Sequence, residues 1–136
     1  MQLDAAWTVE PWVSRLELLA DAKVLVDETN SITAVLASSA QFLTSQRDLA
    51  RRFVTGHRAL TEWIGNNPDA AQRMITEELL LRFNTNMNSL VLAEGWRRIQ
   101  LSNELPLDKL QDLVTRGKVA GYFRFTPDLI RLVEVP

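Results

Sequence analysis

Apolar and polar positions alternate at the start of the chain. Leu3-Asp4-Ala5-Ala6-Trp7-Thr8-Val9 has a near two-residue period, which predicts a strand with one face covered. A change to helical spacing follows, with Val13, Leu16, Leu19 and Ala20 on one stripe of a helix over 11–20. The short apolar run Lys23–Val26 predicts a second strand, stopped by the turn cluster Asp27-Glu28-Thr29-Asn30. Ser31–Ser38, rich in β-branched residues (Ile32, Thr33, Val35), predicts a third extended run.

From Ala40 onward the pattern is helical. A helix starting near Gln46 is expected to bury Leu49, Phe53, Leu60 and Ile64 and to stop at Gly65-Asn66-Asn67. The next start signal combines Asn67 as N-cap, Pro68 at the first position and Asp69 in the first turn. A further helix carries Leu92, Trp96 and Ile99. The last begins near Pro106, is expected to bury Leu107, Leu110, Leu113 and Val114, and to end at Gly117 in a left-handed cap. No repeat, low-complexity tract or linker interrupts the chain, so the expected organisation is a single unit over 1–136.

The junction Glu10-Pro11-Trp12 holds the main candidate site. Proline has no backbone N–H and a fixed φ, so it suits a helix start. Where a strand end meets a helix N-terminus, unpaired N–H groups and the helix dipole favour a small anion. Thr8, Glu10 and Trp12 are the expected pocket wall, with Trp12 placed to lie over a solute. A plainer role accounts for each: Glu10 favours a helix start by about 0.3–1 kcal/mol through the dipole alone, and Trp12 packs over the sheet end.

The order of segments QLDAAWTVEPWVSRLE, AKVLVDE and ITAVLASSAQFL, then LARRFVTGHRALTEWIGNNPDAAQRMITEEL, EGWRRIQLSN and LDKLQDLVTRGKVAGYF, resembles the substrate-binding proteins of nitrate/sulfonate/taurine-type ABC transporters. The family writes this part as a G-x-x-D-A strand, an E-P-W turn, a K-V-L-x-D-E strand and a helix ending W-I-x-x-N-P-D-E-A. The resemblance runs from Gln2 to about Phe125. It implies an α/β, helix-rich fold: the C-terminal half of a two-lobed, type II periplasmic-binding-protein fold. In that frame 1–31 is the remainder of the second lobe, 32–38 the crossover strand between lobes and 39–136 the C-terminal helical part.

The implied function is solute binding for an importer of a small anionic or polar solute, with an ABC permease as partner and no chemistry performed. Thr33, near the crossover, joins Thr8, Glu10 and Trp12 as an implied ligand-binding residue. Two stretches depart from the family: Asn84-Thr85-Asn86-Met87-Asn88 is more polar, and Val119–Phe125 more aromatic. An alternative of a different class is a helical interaction or assembly module, a homodimer or a truncated copy, whose apolar helix faces drive association.

Charge and composition narrow the classes. The chain has 136 residues, 46% hydrophobic, enough for one core of ordinary size. Net charge is −2 and the basic residues are scattered, so nucleic acid is not an expected partner. The absence of cysteine excludes disulfides and thiolate chemistry. Apolar runs fall far short of the roughly 20 residues that cross a bilayer. Family members work outside the cytoplasmic membrane, yet Met1 is followed by neither a basic start nor an apolar stretch, so a cytoplasmic location is expected for the chain as written.

Nothing in the sequence marks an enzyme. His57 is the single histidine, beside no second ligand or nucleophile, and is expected at a helix boundary with its nitrogens satisfied. Asp27-Glu28 lacks the ligand count and glycine bend of a calcium loop. Ser14, Ser38-Ser39 and Ser45 have no Gly-x-Ser-x-Gly context. No cofactor, metal or catalytic residue is expected.

Overall fold

A computed structural model describes residues 3–28 and 31–132. Seven helices account for the regular structure among them: α1 (Trp12–Ala20), α2 (Ala40–Ser45), α3 (Arg47–Asn66), α4 (Pro68–Phe83), α5 (Ser89–Arg98), α6 (Leu107–Val119) and α7 (Leu129–Leu132). The described residues contain no strand.

The expectation of an α/β fold is therefore corrected, and with it the half of a two-lobed periplasmic-binding-protein fold. The described parts of all three expected strands, 3–9, 23–26 and 31–38, lack regular structure. A strand is completed only by a neighbour that accepts its N–H groups and packs its face, so β-branched composition by itself settles little. Here the apolar residues meant to cover a sheet are open to solvent: Leu25 is 82% and Trp7 76% exposed.

Two compact units are formed. One comprises Met1–Glu28 with Leu60–Leu101, the other Thr29–Ala59 with Ser102–Pro136. In the first, α1 packs on α5, and Val91, Leu92, Ala71 and Ser14 are buried. In the second, α6 packs on α7, and Ala50 and Val114 are buried.

Helix ends follow local chemistry closely. Ser39 caps α2 by accepting from Phe42 N–H at 3.1 Å, and Asn88 Oδ1 caps α5 by accepting from Leu90 N–H (2.9 Å) and Val91 N–H (3.3 Å). α4 does start at Pro68, directly after Asn67. The Asn67 side chain does not cap it, however. Its Nδ2 turns back and donates to Trp63 O at 2.8 Å, closing α3 instead. Asn84 ends α4 in the left-handed region (φ 49°), where asparagine is tolerated. The polar run 84–88 is thereby explained: it ends one helix and begins the next.

Two expected features of the later helices move. The face Leu49, Phe53, Leu60 and Ile64 is not buried, since Leu49, Phe53 and Leu60 are all exposed. The better covered stripe of α3 is Ala50, Val54, Thr61 and Ile64, one residue round the helix. A period fixes spacing but not phase, and large apolar residues drew the phase toward themselves. On α6, Val114 is buried while Leu107 and Leu113 are exposed.

α6 also runs through Gly117. The left-handed residue is Gly121 (φ 83°), with Tyr122 N–H donating to Gly117 O (2.9 Å) and Gly121 N–H to Lys118 O (3.1 Å), a Schellman closure. Gly117 has a different use: a Cβ there would lie 2.6 Å from Phe123 Cε2, so the ring occupies the space glycine leaves.

Gly56 and Gly121 make a paired prediction of opposite sign. Gly56 lies inside α3 with nothing near its missing Cβ, so Gly56→Ala should stabilise by about 1 kcal/mol through helix propensity. Gly121→Ala, forced to a positive φ, should destabilise by about 1–2 kcal/mol. Urea denaturation of the two variants checks both signs.

Candidate functional site

The Glu10-Pro11-Trp12 junction is a working part of the first unit, though it follows no strand. Val9 O accepts from Trp12 N–H at 3.0 Å and turns the chain into α1. The Glu10–Pro11 peptide is cis. Pro11 is the residue before the helix rather than its first, and α1 begins at Trp12.

Glu10 closes the first turn. Its Oε2 accepts from Ser14 N–H (3.1 Å) and from Ser14 Oγ–H (2.7 Å). These bonds satisfy a helix-start donor and a hydroxyl in a residue with no exposed surface. The other oxygen, Oε1, accepts from Arg98 Nη1 at 3.1 Å across 88 positions of sequence. The same Nη1 donates to Glu17 Oε2 at 2.6 Å, and Arg98 Nη2 lies 3.2 Å from Glu94 Oε1.

One guanidinium thus joins the end of α5 to three carboxylates, two of them contributed by α1 and its approach. The Glu10 side chain is only 11% exposed, so its charge is compensated where water reaches it poorly. The Arg98 guanidinium is held above its ordinary value, chiefly by the hydrogen bond to Glu17 and further by Glu10, with burial opposing. A raised pKa on a cation gives stability that is present below the ordinary value and lost only as pH climbs through the raised one. Its contribution is therefore constant at neutral pH.

Close approach completes the joint. A Cβ on Gly95 would lie 3.1 Å from Glu10 Oε2 and 3.3 Å from Pro11 Cα, so α5 lies against the turn where it has no side chain.

α1 borders an open concavity of about 480 Å³. Trp12, Arg15, Leu16, Leu19 and Ala20 come from the helix, Ala6 and Thr8 from the segment before it. The Arg15 guanidinium lies 5.8 Å from the centre of the Trp12 ring, within cation–π range. Arg15 forms no ion pair among the described residues. It is the only charged side chain of the lining, in a hollow otherwise apolar apart from Thr8.

Of the expected wall residues, Thr8 and Trp12 line this hollow. Glu10 does not, and its two oxygens are held by Ser14 and Arg98. Thr33 belongs to the other unit and is exposed. Arg15 went unnoticed in the sequence, although its place three residues after Trp12 puts both on one helix face. The Arg98 partnership had no local signal.

The described residues hold no group of three His, Asp or Glu able to bind a metal. His57 lies inside α3, not at a helix boundary as expected. Among the described residues, no helix is long and apolar enough to cross a membrane. Comparison with protein-family models, curated proteins and solved structures finds no match.

Glu10→Ala should destabilise the chain by about 2–3 kcal/mol, because it leaves the buried Ser14 hydroxyl and N–H unpaired and Arg98 short of a partner. Gly95→Ala should cost about 1–3 kcal/mol by overpacking, against its helix-propensity gain. Chemical denaturation checks both. Either variant as stable as the parent chain would show that the joint does not hold α5 on α1.

Proposed function

We propose that this chain acts as a helical interaction module whose apolar faces are covered by a second copy of itself. One observation carries the reading. Among the described residues only Ala50, Ala71, Val91, Leu92 and Val114 form a buried apolar core, whereas large side chains on several helices stand in water. Leu81, Phe83, Val119 and Tyr122 are each at least 70% exposed.

Scattered exposed apolar residues are ordinary on a monomer, but exposed large side chains outnumbering a core of small ones are a drive to associate. A net charge of −2 opposes self-association weakly. Helices presenting apolar stripes bury them most simply against an identical stripe through two-fold symmetry.

A second reading, binding of a small anionic solute, is favoured by Arg15 in the α1 hollow. It keeps the solute-binding role suggested by the resemblance to ABC-importer proteins, including handover to a permease, and does not call on a two-lobed fold. Thr8 and Trp12 would contact the solute and Glu10 would hold the wall in place.

Sedimentation and thermal melting over a roughly hundredfold range of protein concentration test the first reading. The expected outcome is a mass at least twice that of the chain and a Tm that rises with concentration. A monomer with a cooperative, concentration-independent melt would overturn it.

A further inference from the structure

We propose that the hollow beside α1 selects small aromatic monocarboxylates, a specificity that rests on the small-anion reading above.

Charge sets the first limit. Arg15 is the only charged side chain in the lining, and the nearby carboxylates Glu10 and Glu17 are engaged by Arg98. One uncompensated guanidinium matches one negative charge. The second charge of a dianion such as a phosphate monoester would find no partner in the lining, so it adds nothing to recognition here.

Shape sets the second. A guanidinium presents parallel N–H donors in a plane, and a carboxylate accepts them as a pair. The Arg15 guanidinium lies 5.8 Å from the centre of the Trp12 ring and makes no ion pair among the described residues, so its N–H groups remain for a carboxylate.

The apolar lining sets the third. Leu16 and Leu19 lie one helical turn apart and offer aliphatic surface beside the Trp12 ring. A flat ring attached to the carboxylate covers this surface and meets the indole edge to face or offset, which an aliphatic body of equal size cannot do. The hollow, about 480 Å³, is within the size of small-molecule sites and admits one or two fused rings. Thr8 adds a hydroxyl for a polar substituent.

The test uses the full chain and four probes: naphthoate, its neutral counterpart naphthylmethanol, cyclohexanecarboxylate and nitrate. Binding is followed by calorimetry and by amide NMR shifts, in the parent chain, in Arg15→Gln and in Arg97→Gln. Arg97 is an exposed arginine of α5 outside the hollow, and circular dichroism checks that each variant keeps its helices.

Naphthoate should bind with shifts at Thr8, Trp12 and Leu16. Arg15→Gln should weaken it roughly tenfold or more, as loss of a charged hydrogen-bond pair does. Arg97→Gln should leave it unchanged. Naphthylmethanol binding as tightly as naphthoate, or equal affinity in Arg15→Gln, overturns the proposal. Nitrate and cyclohexanecarboxylate binding as well as naphthoate, with loss in Arg15→Gln, overturns aromatic selection and leaves the small-anion reading standing. No binding by any probe overturns both.

Discussion

The Glu10 carboxylate is the constraint on which the first unit depends. One oxygen takes the N–H and the hydroxyl of buried Ser14, and the other takes Arg98 from the end of α5. α1 is nine residues long, shorter than a helix that would persist alone in water. It therefore needs tertiary support, and the Arg98 bridge and the close approach of Gly95 provide it. The hollow lined by Trp12, Arg15, Leu16 and Leu19 is the opposite consequence: by fixing where α1 begins, Glu10 determines which helical positions remain for a ligand or another protein.

Removing water from Glu10 is not free. A carboxylate at this burial is tolerated because three protein donors replace its hydration. Around it the apolar core is thin. Ala71, Val91 and Leu92 provide the first unit's buried apolar residues, and two of the four tryptophans, Trp7 and Trp12, are exposed beside the joint. The polar joint therefore specifies the α1–α5 arrangement more than it supplies net stability. Both readings of function follow from this imbalance: apolar helical surface without a matching interior, and one cation within it without a counterion.

Much of the helical organisation was legible in local sequence. The start of α4 at Pro68, the helix through Leu92 and Trp96, and the helix following Pro106 all carry signals of a few residues. The proline start signals at Pro68 and Pro106 act within one turn and were read correctly. The side chains that cap α2 and α5, Ser39 and Asn88, were not singled out, and Asn67 turned back onto α3. Sequence reading also failed where the answer lay with distant partners. Val24 and Val35 suit a strand, but no neighbouring strand pairs with them among the described residues. Leu49 and Phe53 fit a buried stripe, but what fills the space is Ala50. The left-handed cap expected at Gly117 falls at Gly121, and the missing Cβ of Gly117 instead makes room for the Phe123 ring.

By itself, the sequence determined where several helices begin, as at Pro68 and after Pro106, because start signals act within about a turn. It also determined that Trp12 and Arg15 share a face, because helical spacing demands it. Tertiary structure alone decided the rest. It turned Glu10 from a candidate ligand contact into a partner of Arg98, 88 positions away. It also left the expected strands unpaired. Both outcomes depend on which distant groups satisfy a charge or a backbone N–H, and no local pattern encodes the position of those partners.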